Sequence, residues 1–224
     1  MHTKPAPAFS VFNCALDAIN HATLENNSLM VSFPTDNTQS RATFQLLITI
    51  TLLLAGKGVK IDSQYRKEFS LLMGESGSGY TEQEMIVNQQ GQKLRICRNP
   101  QTQVSELHIP VEIGLQMAKN LFRQTTMNIK QMTLKALDQK IGPAKNTEDG
   151  KEYMVIPAKS KDDCTLMRHL LANLAFAQGY NNVVRSVLDG LPINGGTFPC
   201  VLITDTARQK VLAAERDRDG PPLP

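Results

Sequence analysis

The chain has 224 residues but no tryptophan, only four tyrosines and eight phenylalanines. None of these aromatics sits in the basic–glycine–aromatic cluster of an RNA-recognition sheet, which removes that route to base-specific readout. Phe9, Phe12, Phe44, Phe69, Phe122 and Phe176 fall on apolar stripes and read as core. Cysteine is also scarce: Cys14, Cys97, Cys164 and Cys200 are far apart and form no CxxC pair. That spacing excludes a disulfide framework and a zinc knuckle, and fits reduced thiols in a cytoplasmic compartment. Long apolar runs are missing too. The longest, Ala42–Ala55, would extend about 21 Å as a helix, short of the ~30 Å hydrocarbon core, so no membrane partner is expected. Met1–Ser10 is polar and proline-bearing, unlike a secretory signal.

Catalytic signatures are lacking in the same way. His2, His21, His108 and His169 have no partner histidine at metal-ligand spacing, and His108 and His169 read as structural. Cys164 and His169, five positions apart, fall on different faces of a helix. There is no G-x-S-x-G elbow. Asp162-Asp163 is explained by charge compensation at a helix N-terminus. Gly74-Glu75-Ser76-Gly77-Ser78-Gly79-Tyr80-Thr81 resembles the Walker A loop in its glycines and final threonine. Tyr80, however, replaces the lysine whose charge holds the phosphates, and an acidic Thr81–Glu84 follows. The expectation is therefore no catalytic residue, no cofactor and no metal.

What is present is a set of strong periodic segments. Ser160–Gly190 is read as a central helical hairpin. Ser160 and Asp163 open it like a capping box, with Asp in place of the usual Glu or Gln, Leu166, Met167, Leu170, Leu171 and Leu174 recur at helical spacing, and Gln178-Gly179 ends the first helix. A second helix is expected from Asn181 or Asn182 to Gly190, with Val183, Val184, Val187 and Leu188 inward, and Leu191–Pro199 as loop. Further helices are predicted at Phe9–Thr23, Ser40–Ala55, Ile61–Met73, Val111–Ile141 (broken near Thr125-Thr126) and about Asp205–Glu215. Strands are predicted at Ser28–Phe33, Glu152–Ile156 and Cys200–Ile203, with a small antiparallel β insert at about 84–109. The resulting fold class is α+β but predominantly helical. Helical lobes surround the hairpin, either as one domain over 9–215 or as lobes 9–110 and 111–215. Proline-bearing extended arms occupy 1–8 and 216–224.

Charge is distributed unevenly. The net charge is only +3, yet Ile113–Leu137 contains no acid, and between Ile113 and Lys145 six cations face Asp138 alone. Lys119, Arg123, Lys130, Lys135 and Lys140 would line one helix. Lys93, Arg95 and Arg98 lie in the β insert, and Arg41, Lys57 and Lys60 in a second acid-free run. A bare strip of this kind is a phosphate-binding surface; acids brought in from elsewhere in the fold would make it an ordinary solvated face. The sequence reading is a non-enzymatic, self-associating structural protein of coat or nucleocapsid type. It would bind single-stranded nucleic acid without sequence preference and form homo-oligomers through its arms. The alternatives are a protein-interaction adaptor using the hairpin or β insert, and an enzyme whose site is assembled from distant residues.

Overall fold

A computed structural model describes residues 10–55, 81–86, 91–99, 101–139, 143–145 and 149–216. Residues 1–8 and 217–224, the Ile61–Met73 and Gly74–Gly79 segments, and Lys57, Lys60 and Lys140 lie outside them. Six helices and nine strands share the described chain, so the expectation of a predominantly helical protein is corrected to a mixed helix-and-sheet fold with two antiparallel sheets.

The first sheet has the order β1 (Thr23–Glu25), β2 (Ser28–Pro34), β5 (Val104–Pro110), β4 (Lys93–Asn99), β3 (Thr81–Ile86). The expected insert is therefore three strands of a larger sheet, completed by β2 pairing with β5 from Ser28↔Pro110 to Pro34↔Val104. Alternation gives it two unlike faces. Val31, Leu94, Ile96, Leu107 and Ile109 are buried in the core, while Lys93, Arg95, Glu106 and His108 lie on the other side.

Helix α1 (Val11–Asn20) buries Val11, Phe12, Ala15 and Ile19. Helix α2 (Thr38–Ala55) is the hub, packing on α1, on β2 and on α5 (Lys161–Ala177). Asn37 Oδ1 caps it by accepting from the Ser40 amide at 2.9 Å. Phe44, Leu46, Leu47, Ile48 and Ile50 are buried along it. Two of its buried threonines, Thr43 and Thr49, fit because they donate back to the Gln39 and Gln45 carbonyls at 2.8 and 2.9 Å. The long Val111–Ile141 helix is two helices, α3 (Val111–Gln116) and α4 (Lys119–Asp138). The break falls at Met117-Ala118, not at Thr125-Thr126; Thr126 stays helical by donating to the Phe122 carbonyl at 2.7 Å.

The second sheet, in the order β6 (Pro143–Lys145), β7 (Glu152–Pro157), β9 (Gly196–Thr204), β8 (Val184–Ile193), was not expected. It overturns the helical hairpin. Helix α5 starts as predicted, with Ser160 Oγ accepting from the Asp163 amide at 3.1 Å, but residues 184–193 form a strand, not a second helix. β8 and β9 are joined at Asn194-Gly195, both at positive φ (49° and 84°), the conformation a tight type I′ hairpin turn requires. The last helix, α6 (Asp205–Arg216), packs on β7, β9, α4 and α5.

Gly190 sits where the β8–β9 register shifts, between Val187 and Leu191. At φ +89°, an added Cβ would stand 2.7 Å from Thr197 Cγ2 and 2.9 Å from the Phe198 carbonyl oxygen. Gly190→Ala is therefore expected to cost about 2 kcal/mol through strain and overlap with backbone. A denaturant melt beside Gly195→Ala checks the overlap, since a Cβ at Gly195 meets nothing within 4 Å.

Candidate nucleic-acid interface

Among the described residues the expected cations fall on several elements. On α4, Lys130 is only 3 % exposed and falls in line with the helix's buried residues Phe122, Thr126, Thr133 and Leu137. Lys135, five residues on and so about 140° around the helix, is exposed, as are Lys119 and Arg123 near the other end. Lys119 Nζ is tied to the Asn20 carbonyl at 3.1 Å. In the first sheet Lys93 pairs with Glu84 at 2.7 Å and Arg95 with Glu82 at 3.3 Å. The Lys93 hydrogen bond and charge hold the Glu84 carboxyl below its ordinary pKa. Arg98 is half-buried over the Phe44 ring, 5.6 Å from its centroid, and burial pulls its pKa down. Four of the expected contacts are thus buried or matched by carboxylates. Lys119, Arg123 and Lys135 keep their exposure but not a common line.

Arg41 takes a different place. On exposed α2 surface, its guanidinium lies over the Phe176 ring of α5, 5.7 Å from the centroid. One turn along α2, Gln45 lines a half-open cleft of about 180 Å³ between α2, the far end of α5 and the start of β8. Arg168, Ala172 and Phe176 recur every four residues and so present one face of α5 to it. Helix α5 then ends in a Schellman turn. Gly179, at φ +81°, donates to the Phe176 carbonyl at 2.9 Å, and Tyr180 donates to Ala175 at 3.0 Å. That turn folds Tyr180, Asn181 and Asn182 over the end of the cleft.

The lining therefore carries one guanidinium, four side-chain amides and a phenol, with a second guanidinium beside Phe176, and no carboxylate among the described residues. Asn173 is 5 % exposed, and its Nδ2 has no hydrogen-bond partner among the described residues. A buried amide left so costs about 1–3 kcal/mol. His169, on the same helix, is 6 % exposed. Burial first, then the neighbouring Arg168 charge, pushes its pKa down to about 4, so it is neutral at neutral pH and adds no cation.

No protein-family model, no curated protein and no solved structure matches this chain. The site thus stands on its geometry. It takes Arg41 from the expected set and adds Arg168, Asn173, Tyr180, Asn181 and Asn182. The sequence pattern makes Asn181 or Asn182 the cap of a second hairpin helix and Phe176 plain core; the structure instead places all three at the cleft. The signal that could have found them is Gly179 itself: a C-terminal glycine followed by Tyr-Asn-Asn marks a fixed turn, here with Tyr180 half-buried and Asn181 and Asn182 exposed. Among the described residues no helix is long and apolar enough to cross a membrane.

Proposed function

We propose that the protein is a non-enzymatic, self-associating nucleic-acid-binding protein, and that a single strand is held at the cleft between α2, α5 and β8. The observation that carries the reading is Arg168 in an amide-rich lining with no carboxylate among the described residues, with Arg41 beside it over the Phe176 ring. Guanidinium groups match phosphate oxygens in a forked, two-bond geometry. The amides of Gln45, Asn173, Asn181 and Asn182 offer donors and acceptors to phosphate, sugar or an unstacked base, and Tyr180 offers a ring for stacking. Contacts of this kind are dominated by the backbone, which supports binding without sequence preference. Self-association through the proline-bearing arms is part of the proposal and rests on their composition.

Purified protein is expected to bind long single-stranded RNA or DNA in fluorescence anisotropy, with affinity falling steeply between about 50 and about 200 mM salt. Size-exclusion mass recorded before and after a high-salt wash is expected to show an oligomer that outlasts removal of the nucleic acid. Equal affinity at both salt concentrations, or no binding at either, would reject nucleic acid as the partner.

A further inference from the structure

The outer face of the first sheet carries a second cluster, independent of the cleft. Register places Cys97 of β4 opposite Glu106 of β5, and Arg95 opposite His108, so all four side chains share the face turned away from the core. One ligating atom each from Cys97, Glu106 and His108 lies within 4.8 Å of the other two. His108 Nε2 is 3.1 Å from Glu106 Oε2. Cys97 is 8 % exposed, while Glu106 and His108 are half-buried and open to solvent. None of the four cysteines is in a disulfide.

We propose that Cys97, Glu106 and His108 form a binding site for a divalent transition-metal ion of the zinc class, with a fourth position open to water or an external ligand. Thiolate, imidazole and carboxylate together are a donor set that zinc accepts, and three protein ligands with one open position is its common non-structural arrangement. Bonds of about 2.0–2.3 Å to a tetrahedral ion put ligand atoms roughly 3.3–3.8 Å apart. Closing the cluster by about an ångström needs only side-chain rotation, because paired strands already fix the three Cα positions. Binding would release the Cys97 thiol proton to solvent, and the thiolate and Glu106 carboxylate would then balance the ion's two charges. Arg95 is the group that opposes a cation here: its Nη2 lies 3.4 Å from each imidazole nitrogen. Its Nη1 is anchored to Glu82 on β3 at 3.3 Å, which gives the guanidinium a place to turn.

The test uses the full chain, stripped with a chelator, dialysed and titrated with Co²⁺. The proposal requires one saturable Co²⁺ per chain with a thiolate-to-cobalt charge-transfer absorption, displaced by Zn²⁺. Cys97→Ser should abolish that band and Cys14→Ser should keep it. His108→Ala and Glu106→Ala should each weaken binding at least about tenfold, the least that losing even an outer-shell partner commonly costs. Arg95→Ala, which leaves every ligand in place, should tighten it. Zn²⁺ should also raise the melting temperature of the wild type and not of His108→Ala, a readout that holds if the cysteine variant folds poorly. No saturable uptake, or a charge-transfer band that persists in Cys97→Ser, would overturn the site.

Discussion

Lys130→Ala is expected to destabilise the protein by about 3 kcal/mol while leaving the nucleic-acid affinity of the folded molecule unchanged. Lys130 lies on the inner stripe of α4 at 3 % exposure. A lysine this deep persists only where its amino group is satisfied and its stem is packed. Truncation leaves those partners unsatisfied and opens a void where three methylenes and the amino group stood, and each effect is worth one to a few kcal/mol. For a chain of this size that corresponds to a loss of roughly 6–12 °C in melting temperature. Lys135→Ala, on the exposed side of the same helix, should stay within about 0.5 kcal/mol of wild type. Thermal melts of the two variants beside an anisotropy titration check both halves. If Lys130→Ala melted like wild type and bound less tightly, Lys130 would belong to the interface after all.

A second large effect is expected on acidification. His169 is buried, and its pKa in the fold is about 4, against an ordinary value of 6.5. The unfolded chain therefore takes up a proton at pH values where the folded chain does not. The stability that follows from keeping His169 neutral is fully present above about pH 6.5. It is lost progressively as pH falls from there toward 4. Each pH unit across that window is worth about 1.4 kcal/mol, so about 2–3 kcal/mol should disappear between pH 7 and about 4.5. Carboxylates contribute to acid unfolding as well, so the diagnostic quantity is a difference. His169→Asn cannot titrate in this range and should show a shallower loss of melting temperature over the same interval. Identical slopes for wild type and His169→Asn would show that the imidazole is not held neutral by burial.

The local signals in the chain were legible where one segment alone decided its structure. Ser160 with Asp163 capped α5 as expected, and Gln178-Gly179 ended it. The failure at 183–190 has a physical cause. Val183, Val184, Val187 and Leu188 satisfy helical spacing, but the run is β-branched and short, and for so short a run periodicity alone does not separate helix from strand. Asn194-Gly195 was the missing arbiter, because that dipeptide is the strongest short-range hairpin signal and lay between two apolar runs.

The places of the cations were not legible for a different reason. Phase around α4 turns Lys130 inside, and the number of cations along a segment carries no phase. Cross-strand neighbours were equally invisible. Glu84 meets Lys93 and Glu82 meets Arg95 only because β3 and β4 pair. The same holds for Cys97, Glu106 and His108, which come together across the β4–β5 ladder. The cleft draws on α2, α5 and β8, and no spacing rule within one segment joins Gln45 to Asn173 and Tyr180.

The most direct measurement is the salt dependence of single-strand binding in Arg41→Ala/Arg168→Ala beside Arg123→Ala/Lys135→Ala. Each phosphate contact on a single strand contributes about 0.7 to the slope of log affinity against log salt, so losing two at the cleft should flatten the slope by about 1.4. The account predicts that flattening, with weaker binding, in the cleft pair and a wild-type slope in the α4 pair. A wild-type slope in Arg41→Ala/Arg168→Ala together with a flattened one in Arg123→Ala/Lys135→Ala would contradict it, and would return the interface to α4.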